Sequence, residues 1–234
     1  MSKTKLFCFP YAGGSSQIYN KWKPDLNPKI ELIPIELSGR GKRMNEPLYK
    51  SFKELINDVF QQVRGNLHQT PFAFFGHSLG ALIAYELIQL LRKNNFPNPK
   101  HVFYSGKSVP HVETNEKVVY HLLDSIDFKR EVIKLGGTPP EFFMHPELEE
   151  LFLPLLKNDF KMAETYNFTG ASKRYDGDIT VFLGKDDQQT AEQCQGWNEY
   201  TSEICKIIYF NGGHFFIHTE MDKIVNIINE TLRL

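Results

Sequence analysis

Phe72-Ala73-Phe74-Phe75-Gly76-His77-Ser78-Leu79-Gly80-Ala81-Leu82-Ile83-Ala84 is a short apolar run, a tight turn carrying one serine, and a second apolar run of helical character. Read physically, it is a strand, an elbow and a helix. Gly76 and Gly80 stand two residues to either side of Ser78. Lacking a Cβ, they let strand and helix approach closely while the serine is held in a strained backbone conformation. Its hydroxyl then lies in the open at a helix N-terminus, where unpaired N–H groups and the positive end of the dipole favour a developing oxyanion. A chance G-x-S-x-G in a glycine-containing turn is common, but a strand-like run before it and a helix-like run after it give the context of a nucleophile elbow.

Working outward, Lys5-Leu6-Phe7-Cys8-Phe9 reads as a strand buried on both faces, stopped by the Gly-rich loop Pro10-Tyr11-Ala12-Gly13-Gly14-Ser15-Ser16. That loop matches neither G-x-x-x-x-G-K-[ST] nor G-x-G-x-x-G, which weighs against a nucleotide. Glu31–Glu36 is a further strand, suited to an edge or a bulge by Pro34. Ser38-Gly39-Arg40-Gly41-Lys42-Arg43 reads on composition as a basic, flexible, solvated turn. Ser51-Phe52-Lys53-Glu54 has the form of a capping box, opening an amphipathic helix that runs to about Leu67. The helix after the elbow, Leu79 to Leu91, is apolar nearly all round, and His101-Val102-Phe103-Tyr104-Ser105 is the next strand.

The alternation of strand and helix predicts a mainly parallel sheet wrapped by helices. It breaks from Val109 to about Thr169, where helices are expected over Val118–Leu135 and Pro146–Tyr166. Helices, apolar residues (Leu151, Phe152, Leu153, Leu155, Leu156) and Gly/Pro hinges are what a lid over an acyl-binding chamber would carry. Asp178–Leu183 and Ile204–Phe210 resume the sheet, and Met221, Ile224, Val225, Ile227, Ile228 and Leu232 make the apolar face of a last helix.

With 234 residues the chain fits one α/β domain, 1–234, with a sizeable core. A net charge of −1 gives no reason to expect nucleic acid or an anionic membrane as partner. No apolar run approaches a membrane span, and Met1-Ser2-Lys3-Thr4-Lys5 leads straight into a strand, so a cytoplasmic protein is expected. Cys8, Cys194 and Cys205 have no paired or metal-type spacing and read as reduced thiols without a chemical role.

The order serine, acid, histidine, each just past the end of a strand, is that of an α/β-hydrolase triad. Ser78, the Asp186/Asp187 pair after Gly184, and His214 after Gly212-Gly213 satisfy it. A serine hydroxyl is a poor nucleophile without a base, so His214 would take its proton, and the acid would fix the imidazole tautomer. Asp187 is the preferred acid and Asp186 its rival by a one-residue slip. His77 reads as a packed residue beneath the elbow. His218 reads as structural, since no H-E-x-x-H surrounds it. The oxyanion donors expected are the N–H groups of Leu79 and Ala12. A small-ester carboxylesterase or an acyl-coenzyme A thioesterase would use the same triad, and a non-catalytic binding module on this scaffold is the rival of another class.

Phe9-Pro10-Tyr11-Ala12-Gly13-Gly14 resembles the F-P-[FY]-A-G-G loop, and Leu37–Arg43 the L-P-G-R-G-x-R turn, of the type II thioesterases that accompany nonribosomal peptide and polyketide synthases. Gly76–Ala81, Leu135–Pro139, Leu153–Phe160 and Gly212–Phe216 are similar to the family's elbow, lid and histidine-loop signatures, so the likeness spans nearly the whole chain. Ser38 stands where the family usually has proline. The resemblance implies an α/β-hydrolase fold with a helical lid over about 109–169. It implies hydrolysis, with no metal or organic cofactor, of acyl or aminoacyl groups from the phosphopantetheine arm of an acyl or peptidyl carrier protein, and a monomer is expected.

Overall fold

The computed structural model describes residues 3–68, 70–111, 118–168, 174–187 and 196–233. Its centre is a six-stranded sheet of order β2-β1-β3-β4-β5-β6, built from β1 (Thr4–Phe9), β2 (Ile30–Pro34), β3 (Phe72–His77), β4 (His101–Ser105), β5 (Asp178–Gly184) and β6 (Cys205–Phe210). Every neighbouring pair is parallel. Parallel neighbours need crossovers, and α1 (Phe52–Val63), α2 (Leu79–Lys93) and the C-terminal helix Met221–Thr231 cover the faces. Pro34 closes an edge strand, where its missing N–H breaks no ladder.

The period-2 alternation of the strands sorts the core into two layers. Phe7, Phe9, Phe72 and Phe74 point to the face covered by α1 and α2, while Leu6, Cys8, Ala73 and Phe75 meet Trp22, Phe216, Ile224 and Ile228 on the other. The inner strands β3 and β4 are buried on both faces, which is why they read as unbroken apolar runs.

Between β4 and β5 the chain leaves the sheet. Helix α3 (Ser125–Leu135) and helix α4 (Pro146–Glu164) carry a small core of their own, Phe128, Val132 and Leu156. Of the expected lid boundaries, 112–117 and 169 lie outside the described residues. The helix expected from Val118 begins only at Ser125, because the Asp124 carboxylate accepts the N–H groups of Ile126 and Asp127 and fixes the start there. A short 3-10 turn, Tyr120–Leu122, precedes it. The second helix stops at Glu164 rather than Tyr166. One short helix, Phe216–Thr219, directly after the histidine loop, has no counterpart in the expected pattern.

The turn expected to be solvated is exposed only at Gly41 and Lys42. Leu37 and Ser38 are buried, and Arg40 is only 5 % exposed. Tyr49 donates to Asp58 and accepts the Ser38 N–H, while Arg43 reaches Asp58, so side chains hold the turn against the core. Cys8 and Cys205 are free thiols, and burial pushes the latter up to about 11; Cys194 lies outside the described residues.

Candidate active site

Ser78 joins β3 to α2 with φ 54° and ψ −112°, a left-handed φ that a residue with a Cβ adopts only where its surroundings impose it. The surroundings are two glycines in backbone contact. A Cβ on Gly76 would stand 2.0 Å from the Gly80 carbonyl oxygen, and one on Gly80 would stand 2.1 Å from that of Phe9. The Ser78 N–H donates to the Ser105 carbonyl on β4 (2.8 Å), pinning the elbow to the sheet. Serine at an N-cap ordinarily spends its hydroxyl on the helix. Here the side chain makes no cap hydrogen bond, so the Oγ remains available.

His214 follows β6 through Gly212, at φ +100°. Its Nδ1 lies 2.9 Å from Oδ2 of Asp187, with side chains 20 % and 9 % exposed. The loops carrying the two residues are zipped together by backbone. Gly184 packs against the carbonyls of Gly212 and Gly213, Lys185 N–H donates to Phe210, and Asp186 N–H donates to Gly212 (3.0 Å). That backbone contact ties Asp186 to the neighbouring strand end, and the next residue delivers its carboxylate to the imidazole. Occupation of Nδ1 leaves Nε2 as the nitrogen free for a substrate or a hydroxyl.

The ring of His214 lies 5.2 Å from that of His77, the residue before Ser78. His77 is buried with Nδ1 2.8 Å from Ser105 Oγ; burial, reinforced by His214 and His218, drives its pKa well below the usual imidazole range. It is a neutral packing element under the elbow. Tyr11 packs edge-on against His77 and Phe215, and its hydroxyl meets His218 Nε2 at 3.0 Å. Burial lifts the Tyr11 hydroxyl to about 12 and lowers His218, so this contact joins two neutral groups. Among the described residues no cluster of three or more His, Cys, Asp or Glu is arranged for a metal ion.

Of the two expected oxyanion donors, Leu79 follows the serine directly and Ala12 lies on the loop that packs against the elbow. Leu79 is the first residue of α2, where helix N–H groups have no intrahelical partner. Ala12 lies in the loop after β1, whose Phe9 and Pro10 carbonyls contact Gly80. The insertion closes on both loops. Gly137 sits on the Phe215 ring, with space for no side chain, and Phe152 and Leu156 of α4 cover Gly13.

Sequence reasoning missed one pair. Asp159 of α4 is fully buried and receives Arg40 through both terminal nitrogens, at 2.7 Å each. A signal was present in the helix itself: Asp159 shares the inward stripe of Leu155, Leu156 and Met162, where a carboxylate needs a cation. The partner, 119 residues away, has no local signature.

Residues 4–232 match the model of the thioesterase domain family. The chain is a member of that family. Among curated relatives, this thioesterase is 32 % identical to the gramicidin S biosynthesis protein GrsT of Aneurinibacillus migulanus, over all of this chain and 90 % of that protein. Among solved structures it is similar to ClbQ from the colibactin nonribosomal peptide/polyketide pathway, with TM-score 0.93, 33 % identity, and 99 % and 97 % of the two chains covered. It is also similar to the type II thioesterase BorB of the borrelidin biosynthetic cluster, with TM-score 0.88, 31 % identity, and coverage of 99 % and 93 %. The fold is that of an α/β-hydrolase thioesterase.

Proposed function

We propose that this thioesterase hydrolyses acyl and aminoacyl thioesters on the phosphopantetheine arm of carrier proteins, releasing aberrant or stalled groups from nonribosomal peptide or polyketide assembly. The observation that carries the reading is the His214–Asp187 hydrogen bond, with the His214 ring 5.2 Å from that of His77, the residue before a serine whose hydroxyl the helix cap does not use. The relatives supply the substrate class: GrsT is named for gramicidin S biosynthesis and ClbQ for a peptide/polyketide pathway.

In this reading Ser78 Oγ attacks the thioester carbonyl as His214 Nε2 takes its proton. Asp187 holds the imidazole by Nδ1 and stabilises the imidazolium. The oxyanion is received by the Leu79 and Ala12 N–H groups. The proton passes to the departing pantetheine thiol, and water activated by His214 then cleaves the acyl-serine. The insertion between β4 and β5 serves as the lid, and the enzyme acts as a cytoplasmic monomer. Among the described residues no helix is long and apolar enough to cross a membrane.

The test is intact-protein mass spectrometry of carrier protein loaded with short acyl and aminoacyl groups. The enzyme is expected to return holo-carrier protein, and Ser78→Ala to lower the rate about a thousandfold or more. A serine-directed phosphonate should label Ser78 alone, and His214→Ala should prevent labelling. Faster turnover of a simple ester or of acyl-coenzyme A than of acyl-carrier protein would replace the proposed substrate. Label on another residue would remove the proposed nucleophile.

A further inference from the structure

The four residues Tyr11–Gly14 form a tight turn. The Gly14 N–H donates to the Tyr11 carbonyl at 2.9 Å, and Gly13 has φ +78°, as the third position of a type II turn requires. The Tyr11 carbonyl and the Ala12 N–H belong to one planar trans peptide, so fixing the first aims the second in the opposite direction. The aim of the Ala12 donor is therefore only as firm as this turn. Glycine at Gly13 makes the turn sterically possible but gives it no rigidity, since glycine passes between conformations that other residues cannot share.

The rigidity comes from the insertion. The Gly13 N–H donates to Asp159 Oδ2 at 2.7 Å. Arg40 holds both oxygens of that carboxylate and donates from the same Nη1 to the Gly14 carbonyl at 2.9 Å. The turn is thus gripped at consecutive residues, at an N–H by an acid and at a carbonyl by a guanidinium, with the two charges completing each other. Burial opposes charge on Arg40, yet the Asp159 carboxylate, with Tyr49 and Glu36 behind it, outweighs the burial and holds the guanidinium above its ordinary value. Phe152 and Leu156 lie on Gly13 from the same helix and exclude water from the clasp.

We propose that Asp159, on the insertion helix α4, is a positioning residue for the oxyanion hole, with Arg40 as the clamp that holds its carboxylate against the Tyr11–Gly14 turn. This rests on the reading that Ala12 donates to the oxyanion, and it makes catalytic power depend on α4 being seated. An acid placed only to stabilise the fold would need no contact with the loop. This one accepts the N–H next to the donor peptide.

The experiment measures turnover per active site, the site concentration being taken from phosphonate labelling of Ser78, so that an unfolded fraction drops out. Asp159→Asn keeps the shape but loses the charge that orders Arg40, and Arg40→Lys keeps the charge but loses the fork. If either folds poorly, the double variant Arg40→Met/Asp159→Leu removes both charges together. Per-site kcat is expected to fall about 10- to 100-fold in the double variant, with KM within about threefold and less loss in Arg40→Lys. The midpoint of the pH profile should be unmoved, because His214 and Asp187 are untouched. Arg43→Lys, in the same turn but on Asp58 and Glu46, should change per-site kcat less than about twofold. Unchanged per-site kcat in the double variant, or an equal fall in Arg43→Lys, overturns the proposal. An active Ser78→Ala would instead overturn the triad reading beneath it, so the two failures are distinguishable.

Discussion

The two helices that bracket the site are held by different physics. Helix α2 is buried from Leu79 through Leu91 on most of its circumference, and it meets the sheet through glycine-to-backbone contacts that no side chain can relax. In the insertion, the turn before α3, α3 itself and the first half of α4 leave large apolar residues in solvent: Leu122 and Ile126 are each 74 % exposed, and Leu151 is 61 % exposed. The second half of α4 is the more firmly fastened, by Leu155, Leu156 and Asp159, and at its end by Glu164, which accepts the N–H groups of Tyr120 and His121. Ser78 is therefore set by a rigid contact of backbone on backbone. The Tyr11–Gly14 loop is set by a few replaceable side chains from outside the sheet.

The sharpest way to break that contrast is at the elbow. Gly76→Ala places a methyl group 2.0 Å from the Gly80 oxygen, where only backbone could move, so loss of folded protein is expected, read by circular dichroism. A Gly76→Ala chain that melts like the parent would show the elbow to be soft. Next, Leu156→Ala empties a site 1 % exposed between Gly13 and the small insertion core, and should cost about 2–4 kcal/mol in denaturant unfolding. A loss below about 1 kcal/mol would mean that α4 is not packed on the loop.

Acid should act on the sheet. Burial between β-strand residues lowers His101 to about 4, with its Nε2 held 2.8 Å from Thr180 Oγ1. A folded value below the unfolded one gives stability that is complete above about pH 6.5 and lost as pH falls toward about 4. For this residue the loss is roughly 3 kcal/mol at most. His101→Gln should flatten the pH dependence of unfolding free energy across that window, and an unaltered slope would refute a neutral buried imidazole. The smallest effect belongs to the exposed face: Leu122→Ser and Ile126→Ser should each shift stability by less than about 0.5 kcal/mol. A larger loss from either would place these side chains in a packed contact and narrow the contrast with α2.

Much of this was legible locally. The strands of alternating phenylalanines, the capping box at Ser51, whose side chain accepts the Glu54 N–H, and the glycine-flanked serine each carry their cause within a few residues. The carboxylate that meets His214 was legible only to within one position. The choice of Asp187 over Asp186 depends on which backbone N–H is tied to Gly212 across the sheet. The basic turn was misread because composition reports average solvation, and Arg40 departs from the average through a partner on another element.

The sequence by itself determined the order of strands and helices and the glycine-flanked elbow, and it singled out Ser78, His214 and a neighbouring aspartate as candidates, because hydrophobic period, glycine placement and turn chemistry act over short stretches of chain. Tertiary structure alone decided which carboxylate meets His214, that Asp159 reaches the Gly13 N–H, and that Arg40 is buried. Those contacts join residues far apart in the chain. Their energy comes from pairing charge and hydrogen bonds away from water, which no local pattern encodes.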